Sequence, residues 1–302
     1  MTTGKQGETQ PVGPLDPAAT RLPNPLVRST RIETWSITAR FPITADERLA
    51  LLASMGRATV EAAAADLEML EAHQGAQAAA LRAARGPQLT RHSPFEGHPR
   101  VAVLGDSLTA DRISWFDLLA LADPEAQDGR VWTNLAVSGA TTADALERFD
   151  LLEAARPSLV LVLLGTNDVR RHGRRSPQRM VSPAETERNL RTIATLVRDD
   201  LGADCRLLTP PPAAPPLVRQ FFAGAPVSLQ PSELDDVADL VRSLDPRCID
   251  LHAPMRAAGP ARFVEADGLH LNAAGQRFVA EVVLDQGQHP EPVQPADGDR
   301  AR

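Results

Sequence analysis

The sequence has no tyrosine, and cysteine is almost as scarce. Its 302 residues include two cysteines, Cys205 and Cys248, which are not in CxxC spacing. So few cysteines exclude a disulfide framework and give no zinc-ligand pattern. No apolar run reaches the roughly 18 residues that a membrane span needs, and no signal-peptide core follows Met1. We therefore expect no membrane span, no metal site and a cytoplasmic location.

The chain also lacks an excess of positive charge. Its formal net charge is -7 at pH 7, whereas nucleic-acid binding needs a basic face that displaces counterions from phosphate. We therefore expect no nucleic-acid partner. Hydrophobic residues make up 43% of the chain and charged residues 24%, which are values of a globular protein. The length predicts one α/β domain with additional segments.

Composition divides the chain into four parts. Residues 1–30 and 287–302 are polar and proline-rich, which predicts a disordered tail at each end. Residues 31–95 are rich in alanine and leucine and include Thr44-Ala45-Asp46-Glu47, which has the form of a helix capping box. This N-terminal extension is predicted to be helical, and it could form a packing layer, a lid or the interface of a homodimer. Residues 96–286 are predicted to form the main domain.

The main domain is predicted to be a doubly wound α/β fold. Short aliphatic runs alternate with amphipathic segments from Pro99 onward, which is typical of a parallel sheet covered by helices on both faces. The predicted strands are 101–104, 131–135, 159–164, 206–209 and 248–251. Because ligands in such folds bind beyond the carboxyl ends of the strands, we expect the chemistry at that edge.

A serine follows the first predicted strand. Ser107 lies in Gly105-Asp106-Ser107-Leu108-Thr109, at the carboxyl edge of the sheet and the start of a helix. Free N–H groups at a helix start favour an oxyanion, so this position suits a nucleophile. The alternative is that Ser107 is an ordinary N-cap.

A nucleophilic serine needs a base, and the base needs an orienting carboxylate. Of the seven histidines, His270 follows Asp267 at a spacing that lets one loop present both side chains. His252, which follows Asp250, is a weaker rival. Most histidines are surface or capping residues, so the spacing alone leaves that alternative open.

Two further residues could donate hydrogen bonds to an oxyanion. Gly139 follows the second predicted strand and could bring its backbone N–H close to a substrate, because it has no Cβ. Asn167 follows the third strand and carries a two-proton amide donor. The alternatives are a turn glycine and a capping asparagine.

Together these residues resemble the four blocks of the SGNH/GDSL hydrolases, in the family's order. The blocks are Gly105-Asp106-Ser107-Leu108, Gly139, Gly165-Thr166-Asn167-Asp168 and Asp267-Gly268-Leu269-His270. The resemblance covers about residues 99–285 and implies a flavodoxin-like three-layer α/β/α sandwich with a parallel five-stranded sheet. An α/β-hydrolase is disfavoured because Thr109 stands where G-x-S-x-G needs glycine.

The resemblance also implies roles and a reaction. Ser107 is the nucleophile, His270 the base and Asp267 its orienting group, while Ser107, Gly139 and Asn167 form the oxyanion hole. The implied activity is hydrolysis of small or medium acyl or aryl esters without a metal or organic cofactor. Acyl transfer, lactone formation and carbohydrate deacetylation use the same serine chemistry and stay open. A non-catalytic binding module is the alternative from another class.

Two segments could set the substrate. The basic cluster that begins at Arg170 and Arg171 follows Asn167 and could receive a carboxylate or phosphate, or it could be a solvated loop. Phe221 and Phe222 lie in a proline-rich segment predicted to be an ordered loop. They could form an apolar substrate wall, or they could pack the loop onto the core.

Overall fold

The computed structural model describes residues 23–90 and 93–286. Residues 1–22 and 287–302, which hold most of one predicted tail and all of the other, lie outside the described residues, as do residues 91–92. None of the helices in the described part is long and apolar enough to cross a membrane.

The N-terminal extension is helical, as its composition predicts. A short helix, α1 Pro25–Ser29, precedes the extension, which contains a 3-10 turn at Ile32–Thr34 and the helices α2 Ser36–Arg40, α3 Ala45–Met55 and α4 Val60–Thr90. Helix α1 lies inside the stretch for which composition predicted a disordered tail. The predicted capping box at the start of α3 is present, with reciprocal bonds between Thr44 and Glu47. Helix α4 is kinked at Arg85, two residues before Pro87.

The main domain alternates strands and helices. The strands are β1 Arg100–Gly105, β2 Val131–Asn134, β3 Leu159–Leu163, β4 Arg171–His172, β5 Gln178–Arg179, β6 Asp204–Leu207 and β7 Val227–Ser228. The helices are α5 Ser107–Ala110, α6 Trp115–Ala122, α7 Thr142–Glu147, α8 Phe149–Ala155, α9 Pro183–Asp199, α10 Pro215–Phe221, α11 Pro231–Leu244, α12 His252–Ala258 and α13 Ala273–Gln286.

Strands β2, β1, β3 and β6 form one parallel sheet in that order. Val101 and Val103 of β1 face one hydrophobic core, and Ala102 and Leu104 face a second core on the other side. Helices α6 and α13 contribute to the first core, whereas α7, α8, α9 and α11 contribute to the second. The predicted α/β/α sandwich is therefore confirmed.

The prediction of a fifth strand at residues 248–251 is wrong. Within that range, Ile249 alone forms a parallel bridge, with Leu208. The Gln286 side chain accepts a hydrogen bond from the Asp250 amide at 2.7 Å and donates one to the Asp250 carbonyl at 3.1 Å. These Asp250 groups lie on the side away from β6, because the Ile249 amide and carbonyl already bond to Leu207 and Thr209. The next amide on the β6 side, that of Leu251, donates to the Thr209 hydroxyl at 2.8 Å, so strand pairing stops after one residue and the sheet has four strands.

The N-terminal extension packs against the first helical layer. Ala78, Leu81 and Leu89 of α4 are buried in the same core as α6 and α13. A third, smaller core joins α1, α3 and α4 to the main domain, with Val27 and Ile113 among its buried residues. Within one chain the extension is therefore an additional packing layer, which was one of the interpretations left open by its sequence.

Candidate active site

Ser107 is the first residue of α5 and follows the end of β1 by two positions. Asp106 has extended backbone, and its Oδ1 accepts a hydrogen bond from the Leu108 amide at 2.9 Å. Asp106 is thus the N-cap, so the alternative that Ser107 is the cap is wrong. Gly105 is required at the end of the strand, because a Cβ there would lie 2.8 Å from Thr109 Cβ. The tight turn leaves the Ser107 hydroxyl free to meet a partner from another loop.

That partner is His270. Its Nε2 lies 2.9 Å from Ser107 Oγ, and its Nδ1 lies 2.5 Å from Asp267 Oδ2. The Nδ1–H donates to the carboxylate, which leaves Nε2 as the acceptor for the serine proton. Asp267 Oδ1 accepts hydrogen bonds from the amides of Leu269 at 2.8 Å and His270 at 2.9 Å. One carboxylate oxygen therefore fixes the loop while the other orients the ring.

Carboxylates around His270 favour its protonated form. Burial by itself lowers the pKa of His270, but the hydrogen bond and charge of Asp267, with the charges of Asp106 and Asp111, outweigh it and raise the pKa above 6.5. Asp267 responds in the opposite sense: burial raises its pKa, but its hydrogen bond to His270 and the charge of that ring lower it overall. Burial raises the pKa of Asp106 to about 6. An imidazolium at this position is therefore stabilised.

The rival histidine has no such role in the structure. His252 is buried, its Nδ1 lies 2.9 Å from the Pro210 carbonyl oxygen and its Nε2 lies 3.1 Å from Asp235 Oδ1. Asp250, the carboxylate that suggested the pair, is bound to Arg242 at 2.9 Å. Both ring nitrogens of His252 are thus occupied by partners other than a serine.

Gly139 and Asn167 lie close together at the carboxyl edge of the sheet. Gly139 has φ +85°, a conformation that side-chain-bearing residues rarely adopt. Asn167 is 8% exposed, and its Nδ2 donates a hydrogen bond to the carbonyl of Ala140 at 3.1 Å. Since this bond uses one of the two amide protons, the second is available to a ligand. Residue 140 is adjacent to Gly139, so the bond joins the two predicted oxyanion donors.

Residues that hold Asn167 in place were missed by the sequence analysis. Asp168 is fully buried and accepts hydrogen bonds from the Thr142 amide at 2.9 Å and the Thr142 hydroxyl at 2.6 Å. Asn189 donates to the same hydroxyl at 3.0 Å. Asp168 was already part of the third block, but Thr142 and Asn189 come from α7 and α9, which no local pattern links to it.

The two arginines predicted to bind an anion are in different situations. Arg170 is half-buried, and its Nη1 lies 3.4 Å from Asn167 Oδ1. Arg170 Nη1 would also lie 3.9 Å from a Cβ built on Gly139. Arg171 on β4 instead pairs with Glu233 at 2.5 Å, so its charge is already compensated. The structure therefore brings Arg170 to the predicted oxyanion donors and directs Arg171 elsewhere.

The segment of Phe221 and Phe222 is partly helical rather than a loop. Pro215 starts α10, a position that suits proline because it needs no N–H partner. Phe221 is 59% exposed, whereas Phe222 is partly buried against the second core, and the two rings meet edge to face at 5.1 Å. Phe221 thus stays accessible, and Phe222 attaches the end of α10 to the fold.

The beginning of α10 lies directly on the loop that presents His270. The Ala214 amide donates a hydrogen bond to the Gly268 carbonyl at 2.8 Å. Gly268 has φ +77°, and a Cβ there would lie 2.7 Å from Leu217 Cβ and 2.7 Å from the Val218 nitrogen. Only glycine fits this close approach.

Solved structures are similar to parts of this chain. A lipase/acylhydrolase from Enterococcus faecalis is 22% identical, with a TM-score of 0.51 over 63% of this chain and 95% of that one. An acetylxylan esterase from Geobacillus stearothermophilus is 17% identical, with a TM-score of 0.47 over 63% of this chain and 94% of that one. Another acetyl xylan esterase, AlAXEase, is 19% identical, with a TM-score of 0.47 over 62% and 98%.

Among curated proteins, none matches the sequence. The sequence model of the GDSL-like Lipase/Acylhydrolase family matches residues 103–278, which is more than half of the chain and includes Ser107, Gly139, Asn167, Asp267 and His270. The chain therefore belongs to the GDSL-like lipase/acylhydrolase family.

Proposed function

We propose that the chain is a serine-dependent hydrolase of carboxylic esters, with Ser107, His270 and Asp267 as its catalytic triad. The observation that carries this proposal is the unbroken series of hydrogen bonds from Ser107 Oγ to His270 Nε2 at 2.9 Å and from His270 Nδ1 to Asp267 Oδ2 at 2.5 Å. Membership of a family of lipases and acylhydrolases supports it. A serine that bonds to an oriented imidazole is the arrangement that acyl transfer requires.

The proposed reaction has two halves. Ser107 Oγ attacks the ester carbonyl while His270 Nε2 takes the hydroxyl proton, and the imidazolium then gives that proton to the departing alcohol. Water enters, gives a proton to the same nitrogen and attacks the acyl-enzyme. Collapse of the second tetrahedral intermediate releases the acid and restores the serine. Asp267 keeps Nδ1 protonated throughout and stabilises the positive ring.

The oxyanion of each tetrahedral intermediate is proposed to receive hydrogen bonds from the amides of Ser107 and Gly139 and from the Asn167 side chain. The position of Ser107 at the start of α5 supports the first donor, because its amide belongs to a helix start. The positive φ of Gly139 and the unused amide proton of Asn167 support the others.

Asn167→Ala is expected to lower kcat roughly 10²- to 10³-fold, because it removes one oxyanion donor. KM for a neutral ester should change little, since the bond is strongest in the transition state. Steady-state kinetics on p-nitrophenyl acetate would measure both constants. Asn189→Ala is the matched control: it removes an amide of the supporting network, and its effect should be smaller. Equal kcat values for wild type and Asn167→Ala would contradict the assignment of this donor.

The test of the proposed function is covalent labelling together with an ester series. A fluorophosphonate probe should add one label per chain, on the peptide that contains Ser107. The chain should also hydrolyse p-nitrophenyl esters of short or medium acyl length. Acetylated sugars belong in the same series, because they separate simple esterases from carbohydrate deacetylases. An acyl thioester belongs there too, because it tests whether the enzyme prefers a thiol leaving group. A folded chain that neither labels nor hydrolyses any member would refute the proposal.

Arg170 is proposed as a contact for anionic substrates. Its place beside Asn167 Oδ1, 3.4 Å away, supports this role. The series therefore includes an ester that carries a free carboxylate, p-nitrophenyl hemisuccinate. Preference for it over the acetyl ester should disappear in Arg170→Gln, and a preference that persists would remove Arg170 from the proposal.

A further inference from the structure

A segment that lies outside the family match is hydrogen-bonded to the loop that ends at Gly139 and to the loop that presents His270. The N-terminal segment, residues 24–34, runs from the N-cap of α1 to the end of the 3-10 turn. It lies before residue 103, where the family match begins. The Thr34 hydroxyl donates a hydrogen bond to the Ala136 carbonyl at 2.8 Å, and the Ser138 hydroxyl donates to the Ser29 carbonyl. The loop that ends at Gly139 is therefore attached to this N-terminal segment.

Arg28 makes the connection to the other loops. Its Nε donates to Asp111 Oδ2 at 2.9 Å and its Nη2 lies 2.8 Å from the same oxygen. Nη1 donates to Glu265 Oε1 at 2.8 Å, and Nη2 also donates to the Leu271 carbonyl at 3.1 Å. The Arg28 side chain is 23% exposed and the Asp111 side chain 10%. A planar guanidinium reaches these three acceptors from nitrogens held in one rigid fork, a geometry that the single nitrogen of an ammonium group does not reproduce.

These three partners are the ends of the segments that carry the nucleophile and the base. The Asp111 amide donates to the Ser107 carbonyl at 3.2 Å and closes the single turn of α5. The Glu265 amide donates to the His270 carbonyl at 2.7 Å, and Leu271 is the next residue after His270. Arg28 therefore ties the turn that begins at Ser107 to both ends of the loop that presents His270.

The backbone at Arg28 is itself fixed. The Arg112 amide donates to the Arg28 carbonyl at 3.0 Å. The Arg112 guanidinium donates to the carbonyls of Val27 and Thr30, each at 3.0 Å. Because α1 is thus bound by a residue next to Asp111, the guanidinium of Arg28 has little freedom to leave its partners.

We propose that Arg28 is a positioning residue that sets the distance between Ser107 and His270, and that the N-terminal segment is in this way part of the active site. The inference rests on the proposed serine hydrolase function. The charge of Arg28 should also affect the pKa of His270. Asp267, Asp106 and Asp111 all favour the protonated ring, and the positive charge of Arg28 beside Asp111 opposes them.

The test is Arg28→Gln in the full chain, with p-nitrophenyl acetate as substrate. Misplacement of the base should lower kcat roughly 10- to 100-fold with little change in KM, since Arg28 acts through the loops that it joins. The pH profile supplies a second readout. The raised pKa of His270 predicts an acid limb of kcat/KM above pH 6.5 in the wild type, because the base must be neutral. Loss of a nearby positive charge raises that pKa further, so the limb moves to higher pH.

Three further variants separate positioning from general damage. Arg28→Lys keeps the charge but not the three-way contact, so kcat should fall while the acid limb stays in place. Glu265→Gln removes a negative charge at a side chain that is 40% exposed, and its limb should move to lower pH. Arg40→Gln is the matched control. Arg40 lies in the N-terminal extension and bonds Asp150 at 2.7 and 2.9 Å. Within the described residues its side-chain hydrogen bonds reach none of these loops, so the kinetics of Arg40→Gln should equal those of the wild type.

The outcomes are decisive even if one variant folds poorly. If Arg28→Gln is folded and matches Arg40→Gln in kcat and pH profile, the inference is overturned. If Arg28→Gln does not fold, Glu265→Gln decides, and an unmoved acid limb overturns the inference. A wild-type chain that takes no fluorophosphonate label would instead refute the proposed function. Labelling that is normal in the wild type and slow in Arg28→Gln supports both.

Discussion

Ser107→Ala is expected to lower kcat/KM by about 10⁶-fold, because no other group in the site can form the acyl-enzyme. The variant should also take no fluorophosphonate label. Its Tm should stay within about 2 °C of the wild type, since among residues 23–90 and 93–286 the hydroxyl bonds only to His270 and caps no helix. Ester hydrolysis, intact-protein mass spectrometry and thermal unfolding measure the three quantities.

Ser232→Ala is the matched control for this variant. Ser232 is exposed near the start of α11, so the same loss of a hydroxyl should leave labelling and kinetics unchanged. A Ser107→Ala variant that keeps more than a trace of activity, or that still takes the label, would show that another nucleophile acts. Activity without labelling would point to direct attack by water.

Asp267→Asn is expected to lower kcat/KM by about 10⁴-fold while the loop keeps its shape. An asparagine oxygen can still accept the amides of Leu269 and His270, which Asp267 Oδ1 now binds at 2.8 and 2.9 Å. The new amide group would donate toward Nδ1, so the ring proton would move to Nε2, and Nε2 could no longer accept the serine proton. The pKa of His270 should fall as well, because the carboxylate that raises it is gone. The remaining activity should therefore have its acid limb at lower pH.

Asp235→Asn provides the comparison. It replaces the carboxylate that binds the rival ring, His252, at 3.1 Å, and it should leave kcat/KM and the acid limb as they are. Kinetics over a range of pH would measure both variants. An Asp267→Asn variant as active as Asp235→Asn would exclude Asp267 as the orienting group.

Much of the sheet could be predicted because its signals are local. Strand β3 is an unbroken aliphatic run, and all of its residues are buried. The fifth strand failed for a reason that is not local. Thr209 Oγ1 accepts hydrogen bonds from the amides of Leu251 and His252 at 2.8 and 2.9 Å. An apolar pattern predicts that these residues are buried, but it does not predict which groups their amides will bind.

The candidate site divides in the same way. Ser107, Asp267 and His270 were predicted to meet because each lies in a short block that resembles a known family, and the structure brings them within hydrogen-bonding distance. Arg28 was not predicted, because its partners lie 83 to 243 positions away in the chain. The surrounding composition indicated disorder, and composition contains no information about such distant contacts.

The contact between α10 and Gly268 also has a consequence for protein engineering. The root of α10, from Ala214 to Val218, is held against the loop of His270 so closely that a methyl group does not fit between them. Redesign at the root therefore moves the loop of His270 together with α10. The tip is different, because Phe221 is 59% exposed. Side chains at this tip can therefore be replaced while the root keeps its contact with the loop of His270.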